Sequence, residues 1–147
     1  MLIEHILYRK GHDVATITPQ SSVADAVARL RELNIGALVV REDDAGAPIA
    51  GVFSERDVVR ALTTVGAQTL DHPVADLMTT DVATCTPRGT VEELMRVMTD
   101  RRIRHVPVVE GGELRGIVSI GDVVKSRIDE LQEEADTLHE YLSSGRT

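Results

Sequence analysis

The sequence repeats itself, and no other feature constrains the fold of this chain so tightly. Shifted by 68 positions, Asp13-Val14-Ala15-Thr16 falls on Asp81-Val82-Ala83-Thr84, and Thr18-Pro19 falls on Thr86-Pro87. Val23, Ile35 and Val40 then meet Val91, Ile103 and Val108. Beyond a loop that is three residues longer in the first copy, the offset becomes 65. Gly51, Ser54, Asp57, Val58 and Val59 then match Gly116, Ser119, Asp122, Val123 and Val124. Matches kept in order at one period mark a tandem duplication, so a single supersecondary unit must account for each half. A unit of about 55 residues buries too little surface to stand alone. The two copies are therefore expected to pack sheet against sheet.

Each copy reads β-α-β-β-α. A short strand (Val14 to Ile17; Val82 to Cys85) ends at Thr-Pro, where proline takes a donor out of regular pairing. Ser22 with Asp25, and Thr90 with Glu93, have the spacing of capping boxes that open a helix. Apolar residues at helical spacing follow, Val23, Ala26, Val27, Leu30 and Leu33 in one copy and Val91, Leu94, Met95 and Met98 in the other. Next come a buried strand (Ile35 to Val40; Val106 to Val109), a polar turn (Glu42 to Gly46; Glu110 to Gly112) and a second apolar strand (Ile49 to Phe53; Leu114 to Val118). A second helix starts near Glu55 or Ile120. The expected class is α+β, with residues 1–66 as the first repeat and an N-terminal helix, 67–127 as the second repeat, and 128–147 as a C-terminal helix and tail. In that tail Ile128, Leu131, Ala135, Leu138 and Leu142 alternate by three and four. Such a narrow stripe fits either packing on its own domain or contact with a partner helix.

Composition removes whole classes of function. One Phe, two Tyr and no Trp among 147 residues leave no aromatic platform for single-stranded nucleic acid. With 24 acidic against 16 basic residues the net charge is −8, so no broad basic face awaits a polyanion. No apolar run reaches the roughly 18 residues of a membrane span. The start, Met1 to Leu7, carries Glu4 inside its apolar stretch and no basic region or cleavage site, so no secretory signal is read there. Cys85 is single and cannot form an intrachain disulfide. A cytoplasmic protein is expected, with neither nucleic acid nor membrane as partner. His5, His12, His72, His105 and His139 are scattered, with no i,i+4 pair and no neighbouring Cys, so no metal site is expected. Cys85 reads as a small buried hydrophobe. No nucleophile triad order, phosphate loop or glycine fingerprint is present, and an enzyme is not expected.

The candidate chemistry lies in a signature that occurs twice: Gly51-Val52-Phe53-Ser54-Glu55-Arg56-Asp57 and Gly116-Ile117-Val118-Ser119-Ile120-Gly121-Asp122. Strand gives way to helix at the Ser, so backbone N–H groups and the positive helix end point out of the sheet edge. A Ser hydroxyl there can bond a phosphate, and an Asp one turn on can accept from both hydroxyls of a ribose. Ser-x-x-Asp is also a capping box in its own right. Spacing alone leaves both readings open.

Val14-Ala15-Thr16-Ile17-Thr18-Pro19 at the start, Ile103-Arg104-His105-Val106-Pro107-Val108-Val109 in the middle and the Gly-to-Asp signature near the end together resemble the CBS domain family. The resemblance covers both copies, from about Asp13 to Arg127, and is closest in kind to bacterial stand-alone CBS pairs, or Bateman modules. It implies regulatory binding of an adenine nucleotide (AMP, ADP or ATP, with NAD(H) as a further candidate) in two clefts between the repeats, and no catalytic cofactor. It further implies that Asp57 and Asp122 hold ribose, with Ser54 and Ser119 close to phosphate or ribose. Adenine is expected against the first strand of the same repeat, Val14 to Thr16 or Val82 to Thr84. The opposite repeat is expected to supply Ile103, Arg104, His105 and Pro107 to the Asp57 cleft, and Ile35, Gly36 and Ala37 to the Asp122 cleft.

The first cleft is expected to gather Arg56, Arg104, His105 and Lys10, enough positive charge for a di- or triphosphate. Arg56 can equally be an exposed helix charge. The second, with Gly121, Gly36 and Ala37, is expected to be nearly uncharged. Val58, Val59, Ala61, Leu62, Val123, Val124 and Ile128 on the second helices would leave apolar surface wet in a monomer, so a closed homodimer is expected. The regulated protein partner is not legible. The competing class is a dimeric interaction protein whose clefts are vestigial.

Overall fold

The computed structural model describes residues 1–44 and 46–145. Ala45 of the first polar turn, and Arg146 and Thr147 of the expected tail, lie outside the described residues. The elements are α1 (Ile3–Lys10), β1 (Thr16–Ile17), α2 (Val23–Leu33), β2 (Ala37–Val40), β3 (Gly51–Ser54), α3 (Glu55–Thr64), a 3-10 turn (Gly66–Asp71), α4 (Val74–Leu77), α5 (Val91–Arg101), β4 (His105–Glu110), β5 (Glu113–Ser119) and α6 (Ile120–Ser144). The duplicated β-α-β-β-α unit is present, and the class is α+β.

Local chemistry places the helices as the spacing predicts. The Ser22 hydroxyl accepts from Asp25 N at 3.1 Å and the Thr90 hydroxyl from Glu93 N at 3.2 Å, satisfying donors that the first turns of α2 and α5 leave open. Both helices stop at left-handed residues related by the same offset of 68, Asn34 and Arg102, each with φ of 54°. Strands β1, β2 and β3 form one sheet, with β1 parallel to β2 (Thr16 opposite Val39) and β2 antiparallel to β3 (Leu38 opposite Phe53). Leu38 and Val40 face the core under α2. Ala37 and Val39 point the other way and are buried as well, so both faces of this strand are covered.

The second sheet holds only β4 and β5. Its expected first strand, Val82 to Cys85, shrinks to one parallel bridge between Cys85 and Val108. Residues before Cys85 leave the sheet to wall a cleft described below. In the first repeat, pairing likewise begins only at Thr16, two residues later than Val14.

The repeats are tied by an exchange of connecting segments. Helix α1 opens the chain, but its Ile3, Ile6 and Leu7 are buried in the core of the second repeat, with Leu94, Val106 and Val118. Conversely Val74 of α4, which follows the first repeat and was assigned by position to the second, is buried in the core of the first, with Leu30, Leu38 and Phe53. The boundary at residue 66 thus follows the chain and not the packing. The glycine of each signature makes this exchange possible. A Cβ on Gly51 would stand 2.7 Å from the Thr79 carbonyl oxygen, and one on Gly116 would stand 2.6 Å from Leu7 Cδ2. At Gly51 the neighbour is backbone and cannot give way, whereas at Gly116 it is the tip of the Leu7 side chain.

The expected C-terminal helix is present, but it is continuous with the last helix of the second repeat. The tail is not a separate element: α6 runs unbroken through residue 128, since nothing in its sequence ends a helix there. What changes near that point is cover. Val123 and Ser126 are buried, whereas every described residue from 131 on is exposed.

Because Leu7 belongs to the second core, Leu7→Ala is expected to cost about 2–5 kcal/mol, the usual range for a buried leucine. Hydrogen exchange should localise the loss to amides of β4, β5 and α5. Loss confined to β1–β3 would contradict the exchanged packing.

Candidate functional site

Both signatures fold as strand-to-helix junctions, and both Asp side chains cap. At the first, Asp57 Oδ2 accepts from Ser54 N at 2.9 Å and from the Ser54 hydroxyl at 3.3 Å. The Thr79 hydroxyl donates to Asp57 Oδ1 at 3.1 Å, and Arg60 stands 3.9 Å from the same oxygen. The carboxylate is 5% exposed and held on three sides. At the second junction Ser119 N donates to Asp122 Oδ2 at 2.9 Å, and Asp122 N donates to the Ser119 hydroxyl at 3.2 Å. Here the further partner is charged: Lys10 Nζ lies 2.6 Å from Asp122 Oδ2 and 2.7 Å from the Ile117 carbonyl.

A cleft of about 330 Å³ opens at the first junction, between the repeats. Ser54, Glu55, Arg56, Asp57 and Arg60 form one side, Asp81, Val82 and Ala83 the floor, and Arg101 to His105 the opposite wall. Gly36, Val52 and Thr79 complete it. The floor comes from the second repeat because Thr79 pairs with Val52 in both directions, at 3.0 and 2.9 Å, and so launches the following residues across Asp57. This reverses the expectation that Val14 to Thr16 would line the Asp57 cleft. Gly36 also lies here, its Cα facing the His105 ring, and not at Asp122.

Charge around the cleft is mostly spoken for, with an exception at its wall. Arg56 donates across the cleft to the Arg102 carbonyl, Arg101 pairs with Asp81 at 2.9 Å, and Arg60 leans on Asp57. The guanidinium groups of Arg102 and Arg104 meet no acceptor among the described residues and border the opening. Arg102 holds its left-handed backbone without being Gly or Asn, at a cost of about 1 kcal/mol. Thr79, Asp81, Arg60, Arg101 and Arg102 were not foreseen. Of these, Asp81 and Arg102 carry a sequence signal, their alignment with Asp13 and Asn34.

A pocket of about 250 Å³ adjoins Asp122, bounded by α1 and α6 through Met1, His5, Ile6, Arg9, Lys10, Lys125 and Ser126. Lys10 therefore belongs to the second site. The expectation that it would join the first fails because α1 packs on the second repeat. The expectation of an uncharged second cleft fails for the same reason. Ile35, Ala37, Ser119 and Gly121 line neither space, nor do Val14, Thr16, Thr84 and Pro107.

His105 stands between the two junctions. Burial lowers its pKa first, and the Lys10 and Arg104 charges lower it further against the opposing pull of Glu55 and Asp122. For Asp122, burial works against the carboxylate, yet the Lys10 ammonium and the Ser119 N–H outweigh it and hold the pKa below the ordinary value. Burial pushes the Cys85 thiol up to about 11, far from a reactive thiolate. No group of three or more His, Cys, Asp or Glu among the described residues could hold a metal ion. None of the helices they form is long and apolar enough to cross a membrane.

The CBS domain profile matches residues 7–64 and 74–129, one match for each repeat. The chain belongs to the CBS domain family. A CBS-domain containing protein of Agrobacterium tumefaciens has the same fold at a TM-score of 0.83 and 44% identity, covering 86% of this chain and 99% of that one. A mitochondrial CBS domain-containing protein of Arabidopsis thaliana is 38% identical over 130 residues, 87% of this chain but only 63% of the length of that relative. A hexameric CBS-CP12 protein from bloom-forming cyanobacteria matches at a TM-score of 0.73 and 25% identity, covering 100% of this chain and 86% of that one. The Agrobacterium chain, nearly all of it matched, consists of little but a CBS pair.

The titrations give a test. His105 and Asp122 both bind protons less readily folded than unfolded, so stability rises with pH across each interval between the two pKa values. The His105 contribution is complete above the unfolded value of about 6.5 and is lost as pH falls through the lower folded value. His105→Gln should flatten the decline in urea-unfolding free energy below about pH 6.5. An unchanged slope would contradict a half-buried His105 that is neutral in the fold.

Proposed function

We propose that the CBS pair is a regulatory module that binds one adenine nucleotide, AMP, ADP, ATP or NAD(H), in the Asp57 cleft, and that it is not an enzyme. The buried Asp57 carboxylate carries this reading. Its lone pairs are held in place by Ser54 and Thr79 at the mouth of a cleft large enough for a nucleoside. A ribose diol arriving there meets an acceptor already oriented, so little ordering has to follow binding. Val82 and Ala83 offer an apolar floor to a base, and Arg102 and Arg104 offer free guanidinium groups to phosphates. Ligand would bridge α3 of one repeat and the wall of the other. A difference in affinity for two packings of the pair is what shifts their populations.

Asp57→Asn is expected to weaken nucleotide binding by about 1.5–3 kcal/mol, the range for a hydrogen bond to a charged group. Calorimetry should show it, and unchanged affinity would remove Asp57 from the site. Affinity should rise from nucleoside to triphosphate and fall with salt. It should also strengthen as pH drops, but only below the ordinary histidine range, since burial lowers the His105 pKa. With two Tyr and no Trp, protein purified with bound nucleotide should show an ultraviolet spectrum dominated by adenine.

The second copy of the chain is the proposed partner of α6. Ile128, Leu131, Leu138 and Leu142 are exposed along one stripe of α6, whose described residues from 131 on are all exposed. Such a half-helix is marginal in water unless something covers it. The cyanobacterial relative is hexameric, which is compatible with self-association by this module. Light scattering should give about twice the 16.0 kDa chain mass. Leu131→Glu with Leu138→Glu should halve it without touching the fold; a variant of unaltered mass would exclude the stripe from the interface.

A further inference from the structure

We infer that Lys10 is a built-in occupant of the second cleft, so that the module holds a single nucleotide although both signatures are intact. The inference rests on the nucleotide reading of the first cleft and concerns why the second differs. The two junctions are alike in their caps and differ in the partner brought to the carboxylate. At Asp57 it is Thr79, a short and uncharged hydroxyl. The repeat offset of 68 puts Gly11 in that place, which has no side chain to offer. The preceding residue reaches over instead: Lys10 Nζ sits 2.6 Å from Asp122 Oδ2 and 2.7 Å from the Ile117 carbonyl.

Two of the three ammonium donors are thereby satisfied inside the cleft, one of them by a charge-assisted bond. A ribose that needs Asp122 as acceptor has to expel the ammonium and leave the Ile117 carbonyl unpaired. Lys10 competes from within the molecule. Its helix is anchored by the buried Ile3 and Leu7, and the adjacent Arg9 is paired with Asp129 at 2.6 Å. A tethered group of this kind acts at an effective concentration in about the millimolar range. The space beside Asp122 has accordingly taken another shape. It is bounded by α1 and α6, and it lacks the opposite-repeat wall that closes the first cleft.

Calorimetry with ATP on the full chain and on Lys10→Met tests the inference. The native chain should bind one ATP, and K10M should bind two, with the gained site lost again on adding Asp122→Asn. Two sites in the native chain, or one in both proteins, would overturn it. Carboxyl-carbon NMR without nucleotide tests the plug separately, because Asp122 should titrate at a higher pH in K10M. Identical Asp122 titrations would overturn the ion pair itself. ATP binding by K10M alone would overturn the first-cleft reading while upholding the plug. No ATP bound by either protein would overturn the nucleotide reading, and the stoichiometry with it.

Discussion

Everything in this molecule hangs on the close approach of two connecting segments to two bare glycines. The Thr79 carbonyl lies on Gly51 at a distance a methyl group could not occupy, and the Leu7 side chain rests on Gly116. These contacts put α1 into the second core and α4 into the first. Neither repeat is then a complete unit without a piece of chain lying beyond it. The exchange also makes the cleft. Thr79, held against β3, delivers its hydroxyl to Asp57 and sends Asp81 to Ala83 across the gap between repeats.

The same exchange explains why two near-identical signatures give two different sites. A duplication copies the caps faithfully, because Ser and Asp three apart recreate them locally. It does not copy what the neighbouring segment brings. The first carboxylate receives a hydroxyl and stays at the edge of an open cleft, while the second receives an ammonium and is neutralised. Asymmetry in a CBS pair can thus come from one residue outside both signatures.

Much of this was legible in the sequence, and the boundary of legibility is physical. Repeat period, helix starts at Ser22 and Thr90, strands β2 to β5 and the junctions at Ser54 and Ser119 all follow from contacts within a few residues. What failed were statements about distant partners. Lys10 was matched with phosphate-binding arginines by charge alone, yet the face α1 chooses is fixed by where Ile3 and Leu7 are buried. Val14 to Thr16 were matched with Asp57 by repeat membership, which the exchanged segments reverse. That the helix after Asp122 runs on unbroken into the tail is not legible, because helix pattern is blind to loss of cover, and α4 escapes notice because four residues carry too little periodicity.

The central claim is that the Asp57 cleft, formed by the exchange, takes the nucleotide. A crystal structure grown with ATP tests it most directly. The account predicts ribose density within hydrogen-bond distance of Asp57, adenine over Val82 and Ala83, and phosphates toward Arg102 and Arg104, with Lys10 still on Asp122. Nucleotide at Asp122 with the Asp57 cleft empty, or seated away from both junctions, would contradict it.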